Sequence, residues 1–230
     1  MFENLQTWDL LMKKIVWRQL GKIENKNILD FGSGIGATAC YLADKNNVTA
    51  IEPDINSVNK RFTENDYIQL VGSLDVLKNL DSEIFDMIIC HNVLEYADNR
   101  EEIVGEFRRV LKHGGKLSIV KHNRFGRVMQ MIVLLNDFDT AGKILDGENS
   151  RSVNFGTINY YDSSDIIKWC STFSLTNIYG IRTFWDLQQN QDIQKNPDWQ
   201  EKMIDFEMRV SQIDQFRDIA FFHHLIFEKT

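Results

Sequence analysis

The segment Asn27-Ile-Leu-Asp-Phe-Gly-Ser-Gly-Ile-Gly-Ala-Thr-Ala-Cys-Tyr-Leu-Ala43 constrains the fold more than any other stretch of the chain. Asn27 to Phe31 reads as a short apolar strand, and from Gly36 onward apolar residues recur at helical spacing. Between them Gly32, Gly34 and Gly36 let the backbone turn sharply and lie close to a ligand, which glycine alone does without steric strain. Strand, glycine turn and helix in succession form the first crossover of a parallel sheet, and the turn suits a small nucleoside-containing molecule. Gly32 to Ala37 also reads as G-x-G-x-x-A, so a dinucleotide-binding loop stays open on this motif alone.

The pattern then alternates. After an amphipathic helix over about Leu5 to Leu20 and the strand Asn27–Phe31 come a helix from Gly36 to Lys45, a strand from Val48 to Glu52 and a helix from Asp54 to Asn65. Strands at Ile68–Val71 and Phe85–Cys90 precede a helix over Arg100 to Leu111, which Gly114-Gly115 is expected to cap before a strand at Leu117–Val120. Arg127 to about Ser152 is less regular and reads as an elaboration over the carboxyl edge of the sheet, where ligands bind in such folds. A helix at Ser164–Phe173, a strand near Asn177–Phe184, a helix near Trp199–Gln212 and a strand near Ile219–Glu228 follow. The expected architecture is α/β: seven strands, mostly parallel, with an antiparallel strand at the end and helices on both faces. The divisions expected within one domain are an N-terminal helix (1–25), a ligand-binding core (26–125), a lid or substrate-binding insertion (126–160) and the last part of the sheet (161–230).

At 230 residues and 43% apolar content one sizeable core is the simplest expectation. Glu3 and Asp9 interrupt the amino end, which therefore lacks the apolar centre of a secretory signal. The run Val128 to Asn136 is too short to span a bilayer, so a cytoplasmic protein with no membrane partner is expected. Cys40, Cys90 and Cys170 lie far apart in apolar contexts and suggest buried free thiols rather than a disulfide or metal site. The net charge of -7 is unevenly spread: Arg108 to Arg127 carries seven basic residues and no acid, leaving -14 for the remainder. A solvated helix face and a functional basic patch both fit that segment.

Two acids bear on the glycine turn. Glu52 ends the second strand, twenty positions beyond Gly32, where a carboxylate accepts hydrogen bonds from both hydroxyls of a ribose. Asp30, two residues before the first glycine, would repel a pyrophosphate and suits a cationic ligand. The ordered signals Asp30-Phe-Gly-Ser-Gly-Ile-Gly36, Ile51-Glu52-Pro53, Val71-Gly-Ser-Leu74, Phe85-Asp-Met-Ile-Ile-Cys-His91 and Val110-Leu-Lys-His-Gly-Gly-Lys116 resemble those of class I S-adenosylmethionine-dependent methyltransferases over nearly the whole chain. The resemblance implies a Rossmann-like methyltransferase sheet that binds S-adenosyl-L-methionine, releases S-adenosyl-L-homocysteine and needs no metal. It also implies that Asp30, Gly32, Ser33, Gly34, Gly36, Glu52 and Pro53 hold the methionyl and ribose parts. Ser73 and Leu74 then lie beside the adenine, and His91 near the cofactor with no catalytic role assigned. Asn92, Leu94 and Glu95 would line the methyl-transfer channel, Glu95 alternatively capping the next helix.

Within that superfamily the segments His91 to Tyr96, Asn123 to Gly126, Phe138-Asp139 and Gly180-Ile-Arg-Thr-Phe-Trp-Asp186 resemble the tRNA 5-carboxymethoxyuridine methyltransferase family, which esterifies the carboxylate of a modified wobble uridine. The resemblance implies tRNA as substrate, with Asn92, Asn123, Arg124, Arg182 and Phe184 toward the acceptor. A carboxylate is already ionised at neutral pH and attacks a sulfonium methyl without a general base. Arg124, Arg127 and Arg182 are candidates to hold an anionic acceptor, and Phe125, Phe184 or Trp185 to stack on a base. The family's N-terminal helix carries an arginine that meets the cofactor carboxylate, whereas this chain offers only Lys13 and Lys14. The alternative acceptor is a small metabolite, with Arg127 to Tyr161 closing over its pocket.

Overall fold

A computed structural model describes residue 2, residues 5–152 and residues 156–230. Glu3 and the stretch 153–155 of the expected insertion lie outside the described residues. Seven strands form one sheet: β1 (Asn27–Phe31), β2 (Asn47–Glu52), β3 (Ile68–Val71), β4 (Phe85–His91), β5 (Leu111–His122), β8 (Phe173–Ile181) and β9 (Phe222–Lys229). Strands β6 (Ser150–Ser152) and β7 (Gly156–Ile158) pair apart from it. The order is β3-β2-β1-β4-β5-β9-β8, parallel from β3 through β5, with β9 antiparallel to both β5 and β8. The helices are α1 (Thr7–Leu20), α2 (Ala37–Ala43), α3 (Ile55–Asn59), α4 (Leu74–Lys78), α5 (Arg100–Val110), α6 (Arg124–Val133), α7 (Phe138–Leu145), α8 (Ser163–Trp169), α9 (Pro197–Val210) and α10 (Asp214–Arg217).

Successive residues of a strand face opposite sides of the sheet, so a strand buried on both faces is continuously apolar. In β1, Leu29 and Phe31 enter a core layer with Ile88, Ile103, Phe107 and Val110, and the Phe31 and Phe107 rings meet edge to face at 5.2 Å. Ile28 faces the other way, toward Ala39, Leu42, Ala50 and Ile89. On that second side α1 and α9 close over β5, β8 and β9 through Leu11, Ile15, Val120, Ile181, Ile204 and Phe222. Helices therefore cover both faces, and the antiparallel last strand anticipated from the two closing apolar runs is present.

Three local expectations need correction. The helix anticipated over Asp54 to Asn65 stops at Asn59, because tertiary contacts draw the following residues onto the glycine turn. The Phe62 amide donates to the Ile35 carbonyl at 3.0 Å, and the Asn65 side-chain amide donates to the Cys40 carbonyl at 2.9 Å. Gly114-Gly115 does not cap α5, which ends at Val110 and passes straight into β5. The strand placed near Asn177–Phe184 lies earlier, at Phe173–Ile181, since Arg182 adopts a left-handed backbone (φ 61°) and breaks it. The elaboration after β5 consists of α6, α7 and the β6–β7 ribbon. The three cysteines are buried and unpaired.

Candidate active site at the carboxyl edge

The strand order reverses between β1 and β4, and in open α/β sheets ligands bind outside the carboxyl ends of the strands at such a point. The register there sets Asp30 beside Ile89, and the chain beyond it brings Gly32 against Val93 in the turn after β4. The approach is close: a Cβ on Gly32 would fall 2.3 Å from a Val93 methyl, and one on Gly36 2.0 Å from the Tyr67 hydroxyl, both at positive φ. A Cβ on Gly34 would meet nothing within 4 Å, so the middle glycine faces open space.

Glu52 closes this turn from the neighbouring strand. Its Oε2 accepts from the Gly34 amide at 2.7 Å and its Oε1 from the Asp54 amide at 2.9 Å, so backbone fixes the carboxylate while each oxygen keeps a lone pair. Asp30 is 3% exposed and its Oδ2 has no hydrogen-bond partner. Burial raises its carboxyl from the ordinary 3.8 to about 7, against the opposing charge of Lys13 and the Ala39 amide. Ser33 Oγ and Asn92 Oδ1 are also buried and unpartnered, and Asn92 holds a left-handed backbone (φ 56°). Orphaned buried acceptors are costly and call for a donor. A ligand bringing an ammonium to Asp30 and hydroxyls to Glu52 fits these groups. Pro53 is exposed, Leu74 is buried, and the Ser73 amide donates to Asp75 Oδ1 at 2.8 Å.

His91 lies deep in a relay. Its Nε2 and the Ser118 hydroxyl are 2.8 Å apart, Ser118 is 2.8 Å from His224 Nε2, and His224 Nδ1 is 2.8 Å from Gln19 Oε1. Because Gln19 Oε1 only accepts, His224 donates from Nδ1 and accepts the Ser118 proton at Nε2, so Ser118 accepts from His91 Nε2–H and His91 Nδ1 keeps a lone pair. Burial holds His91 well below the ordinary histidine range and His224 at about 3, so both rings are neutral. A cavity of about 40 Å³ between His91, Asn92, Lys13 and Thr38 opens on this point. Lys14 points elsewhere, paired with Glu201 at 3.1 Å.

The residues expected toward the acceptor divide sharply. Asn123 caps α6 and donates its amide to the carbonyls of Asp218 and Ala220, both at 2.8 Å. Arg124 donates to the Ile144 and Glu148 carbonyls at 2.8 Å and lies over the Tyr160 ring at 4.5 Å. Arg182 is buried and paired bidentately with Asp186, its guanidinium 5.0 Å from the Phe221 ring. Phe184 packs against Phe216 at 5.6 Å. All four brace the carboxyl edge in this structure. Leu94 is a core residue, and Glu95, rather than capping a helix, reaches His122 Nδ1 at 2.8 Å.

Arg127 differs. It donates to Gln130 Oε1 and, at 3.4 Å, to the Arg151 carbonyl, but among the described residues it meets no carboxylate, and its Nε is buried without a partner. Burial lowers its pKa from the ordinary value. Thr183 Oγ1 and Glu95 Oε2 are unpartnered in the same way. The basic segment splits: Lys112 and Lys116 flank the sheet's opposite, amino end, where with Lys22 and Lys26 they border a groove of about 660 Å³. That groove holds none of the orphaned buried atoms, whereas Asp30 Oδ2, Ser33 Oγ, Asn92 Oδ1, Glu95 Oε2, Arg127 Nε and Thr183 Oγ1 lie toward the carboxyl edge. Sequence reasoning missed Gln19, Ser118, His224 and His122, which come from separate elements and share no spacing that would reveal them.

Among the described residues no group of three or more His, Cys, Asp or Glu is placed to hold a metal ion, and no helix is long and apolar enough to cross a membrane. Residues 29–119 match the family described as "Methyltransferase domain". The chain is 22% identical to the tRNA 5-carboxymethoxyuridine methyltransferase of Escherichia coli K12, over 95% of this chain and 88% of that one. It is 28% identical to the ubiquinone biosynthesis O-methyltransferase of Glaesserella parasuis, over 74% and 76%. The fold matches the crystal structure of an S-adenosylmethionine-dependent methyltransferase from Mesorhizobium loti with a TM-score of 0.59 at 10% identity, over 98% of this chain and 99% of that one.

Proposed function

Since the chain is a class I S-adenosylmethionine-dependent methyltransferase, we propose that it transfers the methyl group to an anionic oxygen acceptor, the carboxylate of a modified wobble uridine in tRNA. The observation that carries this reading is Arg127, a guanidinium at the carboxyl edge with no carboxylate partner among the described residues and a buried, orphaned Nε. A planar anion meets that group bidentately and relieves it. Similarity along most of the chain to an enzyme named for that substrate supports the choice.

In this reading the cofactor supplies a sulfonium methyl. Glu52 takes the ribose hydroxyls on its free lone pairs, Asp30 takes the ammonium, and Lys13 stands in for the family arginine at the cofactor carboxylate. Gly32, Ser33, Gly34 and Gly36 form the bed. Pro53 follows Glu52 beside the ribose, Ser73 and Leu74 flank the adenine, and His91 and Asn92 border the point of transfer. A carboxylate acceptor loses no proton, so alignment and exclusion of water supply the rate. Nucleoside mass spectrometry of tRNA from cells with and without the gene tests the assignment. Loss of the wobble-uridine methyl ester supports it; unchanged esters remove it and favour the alternative of a small-metabolite acceptor, with which similarity to a ubiquinone biosynthesis O-methyltransferase is consistent.

A further inference from the structure

Leu29 and Phe31 point into the core layer of α5, so Asp30 between them points to the opposite face of the sheet. Asp30 pairs with Ile89, and His91, two residues further along β4, stands diagonally from it on that same face. The His91 ring lines the cavity of about 40 Å³ with Lys13, Thr38 and Asn92. Behind the ring runs the relay through Ser118 and His224 to Gln19, and its direction is fixed from the far end. Gln19 Nε2 donates to the Gly180 carbonyl at 3.0 Å. A carbonyl only accepts, so the amide has one orientation and turns Oε1 to His224 Nδ1, 2.8 Å away. His224 and Ser118 are fully buried, which leaves solvent no part in the chain of donors. Each proton in the relay then has one place, and the last lone pair falls on His91 Nδ1.

Three acceptors without a donor therefore meet at this corner. Asp30 Oδ2 and Asn92 Oδ1 are buried and unpartnered, and among the described residues none hydrogen-bonds His91 Nδ1. The neighbouring donors are engaged elsewhere or face away: Lys13 Nζ lies 3.7 Å from Asp9, and the Thr38 hydroxyl accepts from Trp17 Nε1 at 3.3 Å. An ammonium carries three N–H groups and no acceptor, so it suits three such atoms.

We infer that Gln19, His224 and Ser118 are positioning residues, which hold His91 in the tautomer whose Nδ1 completes, with Asp30 Oδ2 and Asn92 Oδ1, a socket for the ammonium of the cofactor. This rests on the proposed placement of the methionyl end beside Asp30 and is independent of the methyl acceptor. The other tautomer of His91 would aim an N–H at the ammonium and remove one of its three partners. A ring kept neutral by burial adds an acceptor without opposing the positive charge. The relay thus carries the choice of tautomer from the C-terminal end of α1, across β9 and β5, to the cofactor.

S-adenosylhomocysteine carries the ammonium, and its des-amino analogue differs only in lacking it. Titration calorimetry of the full chain with both ligands isolates the socket from the rest of the site. His91→Phe should weaken S-adenosylhomocysteine roughly tenfold, the loss of one hydrogen bond to a charged group, and leave the analogue unchanged. Ser118→Ala and Gln19→Leu, which free the ring to change tautomer, should show the same selective loss, several-fold in size. Equal losses for the two ligands would mean that the relay only packs, and overturn the inference. Asp30→Asn separates the two claims: if it too weakens both ligands equally, the proposed placement of the methionyl end falls and the inference with it, whereas discrimination at Asp30 but not at His91 overturns the inference alone. Nitrogen NMR of the wild-type chain labelled at histidine tests the relay without any variant. The expected proton positions are Nε2 on His91 and Nδ1 on His224; the reverse on either ring overturns the inference.

Discussion

Replacing Asp30 with asparagine should change stability and binding in opposite directions. Burial lifts the carboxyl from 3.8 to about 7, and at about 1.36 kcal/mol per pH unit the folded protein pays about 4 kcal/mol to hold it ionised well above pH 7. The sign follows from the raised value: the favourable contribution is complete below pH 3.8 and is lost as pH climbs through about 7. Asp30→Asn abolishes this dependence. Its amide inherits the orphaned Oδ2 position, a roughly constant penalty of about 1–3 kcal/mol that displaces the curve without tilting it. The stability of the variant relative to wild type should therefore rise by about 4 kcal/mol between pH 4 and pH 8. For a chain of this length that corresponds to a relative shift in Tm of about 8–16 °C, read by differential scanning fluorimetry in a buffer series. Over the same range the variant should bind S-adenosylmethionine more weakly, because a cationic ammonium is the group that stabilises the ionised carboxyl. A stability difference that stays flat from pH 4 to pH 8 would refute the buried, proton-holding carboxyl.

Calorimetry of cofactor binding to the wild-type protein at pH 6 should show proton release, as a heat that varies with the ionisation enthalpy of the buffer; a buffer-independent heat would contradict contact between Asp30 and a cation. Glu52→Gln should weaken cofactor affinity about tenfold, since an amide offers one acceptor oxygen where the carboxylate offers two, and an unaltered affinity by titration calorimetry would move the ribose elsewhere. Arg127→Ala should raise the acceptor KM about tenfold or more with kcat less affected, whereas Arg127→Lys should recover charge but not the planar fork; steady-state kinetics in which only kcat falls would argue against an anchoring role. Phe107→Ala, which empties a fully buried site against Phe31, should cost about 3–5 kcal/mol in urea unfolding, and a loss below 1 kcal/mol would mean that this core layer can collapse around the void.

The parallel half of the sheet was legible because its strands are short apolar runs punctuated by glycine, and β1 falls at the anticipated Asn27–Phe31. Local pattern failed where distant contacts decide. The residues after Asn59 carry helical spacing, yet Phe62 and Asn65 bind the Ile35 and Cys40 carbonyls and leave the helix. Gly114-Gly115 looked like a helix cap, but Leu111 is already extended (ψ 135°), and the glycines lie within β5. At the site, the glycine turn with Asp30 and Glu52 showed in the sequence as one contiguous motif plus a fixed spacing. Which arginine keeps an unpartnered Nε and no carboxylate did not, because the three differ only in the partners that folding brings to them: the Ile144 and Glu148 carbonyls for Arg124, Asp186 for Arg182, and Gln130 Oε1 with the Arg151 carbonyl for Arg127. The Glu95–His122 pair was hidden for the same reason, its members standing at the ends of neighbouring strands.

Single-turnover transfer from methyl-labelled S-adenosylmethionine to tRNA lacking the wobble ester bears most directly on the proposed reaction. The expected result is label on the RNA that mild alkali releases, as an ester must be, and that fails to appear with Arg127→Ala at low acceptor concentration. Label that resists alkali, or an unlabelled RNA beside a labelled small-molecule extract, would contradict a carboxylate of tRNA as the acceptor.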